Sequence, residues 1–373
     1  MESKPSSELK DYEILIADNY VLDARKKIDT DVYSGTILKK DIPIAIKLEL
    51  QRQNYPLLKK EAKIYKILEG IEKIPKVYWS GHQGNYNCLI MDLLGPSLKD
   101  IMKKINKPFS LGTTLKISIQ ILNILEKIHK KGVVLRYIKP ANIVMGKGIN
   151  KDSIYLIDFG LAKRYIKHGG HISYKENKKR IKGNLIFISV NAHCRNQISR
   201  RDDIESLGYN LINFMKGKLP WSDCNRNDIM EKKKNTSLDE LCEGLPDEFK
   251  EFIKYGKEME FKQEPDYKYL NRLLMQVAKK NKIDIDNIKY DWDIYIEELK
   301  IERQKIKEKE AQNVNNERQK EKEKEKEAEN VNNERQKGKE AENVINSCED
   351  KILEVKNEDE KTKDNKSDNI SNK

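Results

Sequence analysis

The sequence changes character at Gly95-Pro96-Ser97. Before that point, apolar and β-branched residues come in short runs: Tyr20-Val21-Leu22, Val32 to Leu38 and Ile42 to Lys47, broken by Asp29-Thr30 and Lys40-Asp41. Such runs predict an antiparallel meander. One interruption has a different period. From Pro56 to Leu68 the apolar residues Leu57, Leu58, Ala62, Ile64, Tyr65 and Leu68 recur at helical intervals, with Pro56 suited to a first turn. Two more strand-like runs follow, around Val77-Tyr78-Trp79 and Cys88 to Met91. Beyond Ser97, helical patterns dominate from Leu98 to Lys131, and Leu115 to Ile128 is the most apolar span. A short strand, Ser153 to Ile157, runs into Asp158-Phe159-Gly160, and the rest to about residue 300 reads as helices with loops. Strands and helices are segregated, so the expected class is α+β in two lobes. A small β-rich N-lobe with one main helix covers about 11–94, and a larger helical C-lobe about 95–300. Residues 1–10 are polar and expected to be flexible.

From Ile301 the chain is low in complexity. Ala311 to Lys320 (AQNVNNERQK) recurs as Ala328 to Lys337 (AENVNNERQK), with a truncated copy from Ala341 to Val344. The unequal spacings match no solenoid period, and no apolar heptad is sustained. Residues 301–373 are expected to be a charged tail, partly helical and then disordered. They hold 18 basic and 20 acidic residues, against 55 and 41 in the first 300, so the net charge of +12 belongs to the body. A basic body favours acidic or phosphorylated proteins, nucleic acid or anionic surfaces, unless the lysines are simply a solvated surface.

The five cysteines include no C-x-x-C pair, which argues against a zinc site or a disulfide framework. No run of about 18 apolar residues occurs, and the start Met1-Glu2-Ser3-Lys4-Pro5 lacks an apolar core. These features predict an intracellular protein, cytoplasmic or nuclear, with no transmembrane segment.

The blocks Ala45 to Glu49 (AIKLE), Met91 to Leu98 (MDLLGPSL), Leu135 to Asn142 (LRYIKPAN), Leu156 to Lys163 (LIDFGLAK), Ser199 to Tyr209 (SRRDDIESLGY), Leu219-Pro220-Trp221 and Cys242 to Pro246 (CEGLP) occur in that order. With them, over roughly residues 20–300, the chain resembles the casein kinase I family, within the branch that also holds the vaccinia-related kinases. The resemblance implies a Ser/Thr protein-kinase fold that binds ATP and Mg²⁺. Lys47 matches the strand lysine on the α- and β-phosphates, and Glu61 the helix carboxylate that holds it. Val32 and Ala45, together with Asp92 and Leu94 of the hinge segment 91–94, match positions around the nucleotide. Asp158 and Asn142 match the Mg²⁺ ligands, both hard oxygen donors. Lys139 is retained, and Asp203 matches an aspartate that braces the catalytic loop.

Three departures bear on chemistry. A kinase loop reads H-R-D-x-x-x-x-N, and its Asp accepts the substrate's proton. Here Leu135 and Tyr137 stand at the His and Asp positions. Loss of a positioned base costs on the order of 10²–10⁴ in rate; Tyr137 is expected to act as a plug packed with Leu135. The Gly-rich loop is replaced by Arg25 to Thr30 (RKKIDT), about two residues shorter and without glycine, which weakens the expected grip on ATP. The family's substrate-binding Arg corresponds to Ile186. Basic residues gather instead at Lys175, Lys178, Lys179, Arg180 and Lys182, and again at Lys232, Lys233 and Lys234. The reading is a regulatory or scaffolding pseudokinase with protein partners and little phosphotransfer. The alternatives are a divergent active Ser/Thr kinase acting on acidic or phosphorylated proteins and a basic nucleic-acid-associated protein.

Overall fold

A computed structural model describes residues 9–51, 56–175 and 181–364. The chain divides into two units, Met1–Tyr295 and Ile296–Lys373. In the first, six antiparallel strands form one sheet: β1 (Glu13–Ile16), β2 (Tyr20–Asp29), β3 (Val32–Ile37), β4 (Ile42–Leu50), β5 (Val77–Gln83) and β6 (Tyr86–Asp92), in the order β1-β2-β3-β4-β6-β5. The two-residue period of a strand sorts β4. Ile44 and Ile46 are fully buried on one face with Leu22, Ile37, Cys88 and Ile90, while Ala45 and Lys47 face the other way. Gly35 of β3 crosses so close to β2 that a Cβ there would come within 2.2 Å of the Val21 carbonyl oxygen, which is why this strand carries a glycine.

Helix α1 (Leu57–Leu68) packs on the second face through Leu58, Tyr65 and Leu68, against Leu89 and Met91. Its N-cap residue, Pro56, supplies no side-chain cap. Glu49 of β4 does this instead, accepting from the amides of Leu57 (2.8 Å) and Leu58 (3.3 Å). An acceptor at a helix start satisfies amides that have no partner within the helix, and its charge suits the dipole.

The C-lobe opens with α2 (Leu98–Ile105) and α3 (Leu111–Lys130), capped by Ser97 and Ser110. Short strands β7 (Val133–Val134), β8 (Ile143–Met145), β9 (Ile154–Leu156) and β10 (Lys163–Arg164) carry the two loops of interest, with β7 paired to β10 and β8 to β9. Helices α4 (Val190–His193), α5 (Arg200–Lys216), α6 (Ile229–Asn235), α7 (Leu238–Cys242), α8 (Asp247–Glu258) and α9 (Tyr267–Lys280) complete the lobe. Its centre is α5, buried along nearly its whole length.

The two-lobe α+β expectation holds, and one strand is added to it: Glu13 to Ile16 precedes Tyr20 and pairs with Tyr20 to Asp23. The segment Arg25 to Asp29, at the place of the Gly-rich loop, forms the second half of β2, which reaches β3 through register shifts between Leu22 and Asp29.

Helix α10 runs from Asp291 to Asp364. Its first turn belongs to the domain, where Asp291 accepts from the Ser110 amide at 2.6 Å and donates its own amide to Thr113 Oγ1 at 3.1 Å. The helix continues to Asp364; residues 365–373 lie outside the described part. The segment contains no proline and is rich in Glu, Lys, Gln and Arg, all good helix formers. Opposite charges three residues apart, such as Glu302 with Lys305 and Lys307 with Glu310, add support along the face. Among the described residues, no helix is long and apolar enough to cross a membrane.

Candidate functional site

The register of β4 sets the site. Lys47 lies opposite Val32 of β3 and Leu89 of β6, on the face that meets α1. Its ammonium donates to Glu61 Oε2 at 2.8 Å and to Asp158 Oδ1 at 3.2 Å. Glu61, one turn into α1, is 1% exposed. Burial works against the charge on Lys47, but Glu61 and then Asp158 outweigh it and hold the ammonium well above its ordinary pKa. Next to Asp158, Phe159 is buried and meets Tyr65 of α1 edge-on, with ring centroids 4.8 Å apart. The predicted lysine, helix carboxylate and Mg²⁺-binding aspartate are therefore brought together. Ala45 follows two residues before Lys47, opposite Ser34 and Met91. Asp92 closes β6 with its carboxylate occupied by Tyr78 Oη (2.8 Å) and the Lys76 amide (2.8 Å), and Leu94 lies in the segment leading to α2.

The second half of the site is the loop between β7 and β8. Asp203 of α5 is completely buried and accepts from the amides of Leu135 (2.7 Å) and Arg136 (2.8 Å) and shares a hydrogen bond with His129 Nε2 (2.9 Å). Arg136 adopts a left-handed conformation, φ +67°, which costs a non-glycine residue about 1–2 kcal/mol. The Asp203 bonds hold it there. Burial lowers the pKa of the Arg136 guanidinium, with Asp203 and Asp202 opposing. Asn142 donates to the Tyr137 carbonyl at 3.0 Å, and its own carbonyl accepts from the Ile157 amide at 3.0 Å. That second bond ties the loop to Asp158. Tyr137, Asn142, Asp158 and Leu135 line one small cavity of about 10 Å³.

Tyr137 does share a cavity with Leu135, but its polar partner is Lys139. The Lys139 ammonium donates to Tyr137 Oη at 2.9 Å and lies 4.2 Å from the ring centroid. Asn142 and Asp158 supply two hard oxygen donors, and no group of three or more His, Cys, Asp or Glu side chains among the described residues could hold a metal ion by itself. The two donors fit a Mg²⁺ ion that would draw its remaining ligands from phosphate and water, as Mg²⁺ bound with nucleotides usually does.

The segment after Asp158 is pinned by a residue from another element that the sequence pattern concealed. Lys233 of α6 was grouped with Lys232 and Lys234 as basic surface, yet it is 1% exposed. Its ammonium donates to the carbonyls of Leu185 (2.9 Å), Ile186 (3.1 Å) and Ile188 (2.7 Å) and lies against the faces of Tyr209 and Trp221. Burial pushes its pKa down to about 7, with Glu205 opposing. Trp221 Nε1 also donates to the Ile186 carbonyl (2.8 Å), and His193 shares a hydrogen bond with that of Leu185 (2.9 Å). Ile186, at the lost Arg position, thus sits in a segment pinned by its backbone. Lys178, Lys179 and Arg180 fall outside the described residues. Replacing Lys233 with Met is expected to cost about 2–3 kcal/mol in urea unfolding, because three carbonyls lose a charged donor; an unchanged midpoint would show that the bonds add nothing net.

The signal that would have exposed Lys233 is helical phase, since adjacent residues in α6 point about 100° apart. Glu49 was also missed, because a cap supplied from a distant strand leaves no local pattern. A family model for the protein kinase domain matches residues 30–286, from the turn before β3 to just beyond α9. That match covers more than half of the chain, and the lysine, carboxylates and braced loop described above all lie within it: the chain belongs to the protein kinase family.

Proposed function

We propose that the chain is a casein-kinase-I-like pseudokinase, one that binds nucleotide with Mg²⁺ and protein partners and transfers little phosphate. The observation that carries this reading is the Tyr137–Lys139 bond of 2.9 Å. A phosphoryl-transfer site positions a proton acceptor for the incoming hydroxyl and a cation for the phosphate. Here the residue at the acceptor position carries a proton donor, and the neighbouring cation is bonded to it. The hairpin of β2 and β3, without glycine from Arg25 to Asp31, and Ile186 in place of an Arg support the same reading. When bound, Mg²⁺–ATP would supply the electrophilic phosphate. Lys47, oriented by Glu61, would hold the α- and β-phosphates, and Asn142 and Asp158 would hold the metal.

A divergent active Ser/Thr kinase is the second reading, favoured by the assembled Lys47–Glu61–Asp158 cluster. Positioning and electrostatics carry most of phosphoryl transfer, so a kinase without its base can retain some rate. Two measurements separate the readings. Mg²⁺–ATP at about 100 times its Kd is expected to add ~2.7 kcal/mol of stability through linkage, read as a rise in melting temperature that Asp158→Ala removes. Transfer of labelled γ-phosphate to casein and to phosphorylated peptides is expected to equal that of Asp158→Ala. Transfer above that control overturns the pseudokinase reading, and no thermal shift overturns nucleotide binding.

A further inference from the structure

A ladder of four rings climbs from the core of the C-lobe to its surface. It begins at Tyr165, a buried residue that joins β10 to the hairpin of β11 (Ile166–Lys167) and β12 (Gly170–His171). The His171 ring lies 5.0 Å from that of Tyr165, centroid to centroid. Phe261, between α8 and α9, lies 4.9 Å from His171, and Tyr174 lies 5.2 Å from Phe261. These last two contacts are edge-to-face, each at 77°. His171 and Phe261 are partly buried, and Tyr174 is 46% exposed.

Two arginines at the start of α5 fix this ladder. Arg200 donates to the Tyr165 hydroxyl at 3.3 Å, lies 4.9 Å from its ring centroid, and donates to the Lys262 carbonyl at 2.6 Å. Arg201 donates to the Met259 carbonyl at 3.2 Å and lies 5.8 Å from the Phe261 centroid. The segment that carries Phe261 is therefore tied to α5 on both sides of the ring, and a ligand meets a preformed surface with little ordering cost. Exposed lysines interleave with the rings. Lys167 stands in the strand beside His171, Lys175 follows Tyr174, and Lys262 follows Phe261. Two carboxylates share the Phe261 segment. Glu264 stands 3.9 Å from Arg200, which leaves Glu260 against three lysines.

We propose that this surface binds single-stranded nucleic acid, with bases stacked on Tyr174 and Phe261 and phosphates held by Lys167, Lys175 and Lys262. Rings alternating with cations suit sequence-tolerant binding of a single strand, because every base has a π-face and every nucleotide a phosphate. A duplex keeps its base faces stacked on one another and cannot use the rings. An acidic peptide would pair with the lysines and leave the rings idle, whereas each stacked base adds roughly 5- to 150-fold in affinity. The surface shares no residue with the Lys47–Glu61–Asp158 cluster, so the proposal is independent of the nucleotide-binding reading.

The test uses the full chain and two fluorescein-labelled probes of about 12 nucleotides, oligo(U) and oligo(dT). Fluorescence anisotropy is expected to show saturable binding of at least one of them, about 20-fold weaker at roughly 200 mM than at roughly 50 mM salt, as three neutralised phosphates require. Tyr174→Ala is expected to weaken binding at least about fivefold, and Tyr174→Phe, which keeps the ring, to retain it. The double variant Lys167→Glu/Lys262→Glu is expected to weaken binding at least about tenfold and to flatten its salt dependence. All three side chains are exposed, which keeps the variants folded. No saturable binding of either probe, unchanged affinity in Tyr174→Ala, an unchanged salt dependence in the double variant, or displacement by polyglutamate or Mg²⁺–ATP as effective as by unlabelled oligonucleotide would each overturn the proposal.

Discussion

Tyr137→Asp is expected to raise phosphotransfer by on the order of 10²–10⁴ over the native chain, the range that a positioned general base contributes. The geometry favours a clean exchange. Asn142 holds position 137 through its backbone carbonyl, and Asp203 holds the two preceding amides. Neither contact uses the Tyr137 side chain. The new carboxylate inherits Lys139 as a neighbour and opens the space that the phenol ring occupies beside Asn142 and Asp158. Initial rates with labelled ATP and casein measure the effect. Tyr137→Asn is the control, because it removes the bulk without adding a base. A gain in Asp alone assigns the deficit to the missing proton acceptor, and an equal gain in Asn assigns it to the ring. No gain in either places the deficit in the β2–β3 hairpin or the substrate segment.

The second large effect is on stability. Asp203→Ala is expected to cost about 3–5 kcal/mol, measured by urea denaturation with the slope held constant. The alanine leaves two buried amides and His129 without their shared acceptor, and unmet buried donors lose more than the bond itself was worth. It also frees Arg136 from its left-handed conformation. Asp203→Asn is expected to recover part of the loss, since an amide oxygen can still accept from one of the two amides. A loss below about 1 kcal/mol in Asp203→Ala would mean that the loop is held by something other than this carboxylate.

The parts of the site that the sequence revealed are those whose function fixes residue type and order along the chain. Lys47 on a strand, Glu61 on the next helix, Asn142 within its loop and Asp158 after a short strand could all be placed before any coordinates. The structure gathers Glu61 and Asp158 within hydrogen-bonding distance of the Lys47 ammonium. Burial direction was harder to see. Three consecutive lysines read as one basic patch, but a helix sends the middle one inward, where three carbonyls and two rings compensate for the lost water. Contacts between distant segments were not legible at all. Glu49 and α1 meet because β4 ends beside the helix start, and Tyr137 meets Lys139 because the loop curls back on itself. β1 was passed over because only one of its four residues, Ile16, is buried, so it lacks the alternation that marks a half-buried strand.

The anchoring of α1 has a consequence for populations. The helix is held at its start by Glu49, in its middle by the Glu61–Lys47 pair and one turn later by Tyr65 against Phe159. A swing outward would have to break all three, so the resting ensemble is weighted towards the arrangement in which Lys47 already faces Asp158. A ligand that binds a fractionally populated state loses affinity in proportion to that fraction. Each of the three anchors raises the fraction in which Lys47 already faces Asp158, and so lowers the part of any nucleotide's binding free energy that would be lost to rearranging this helix.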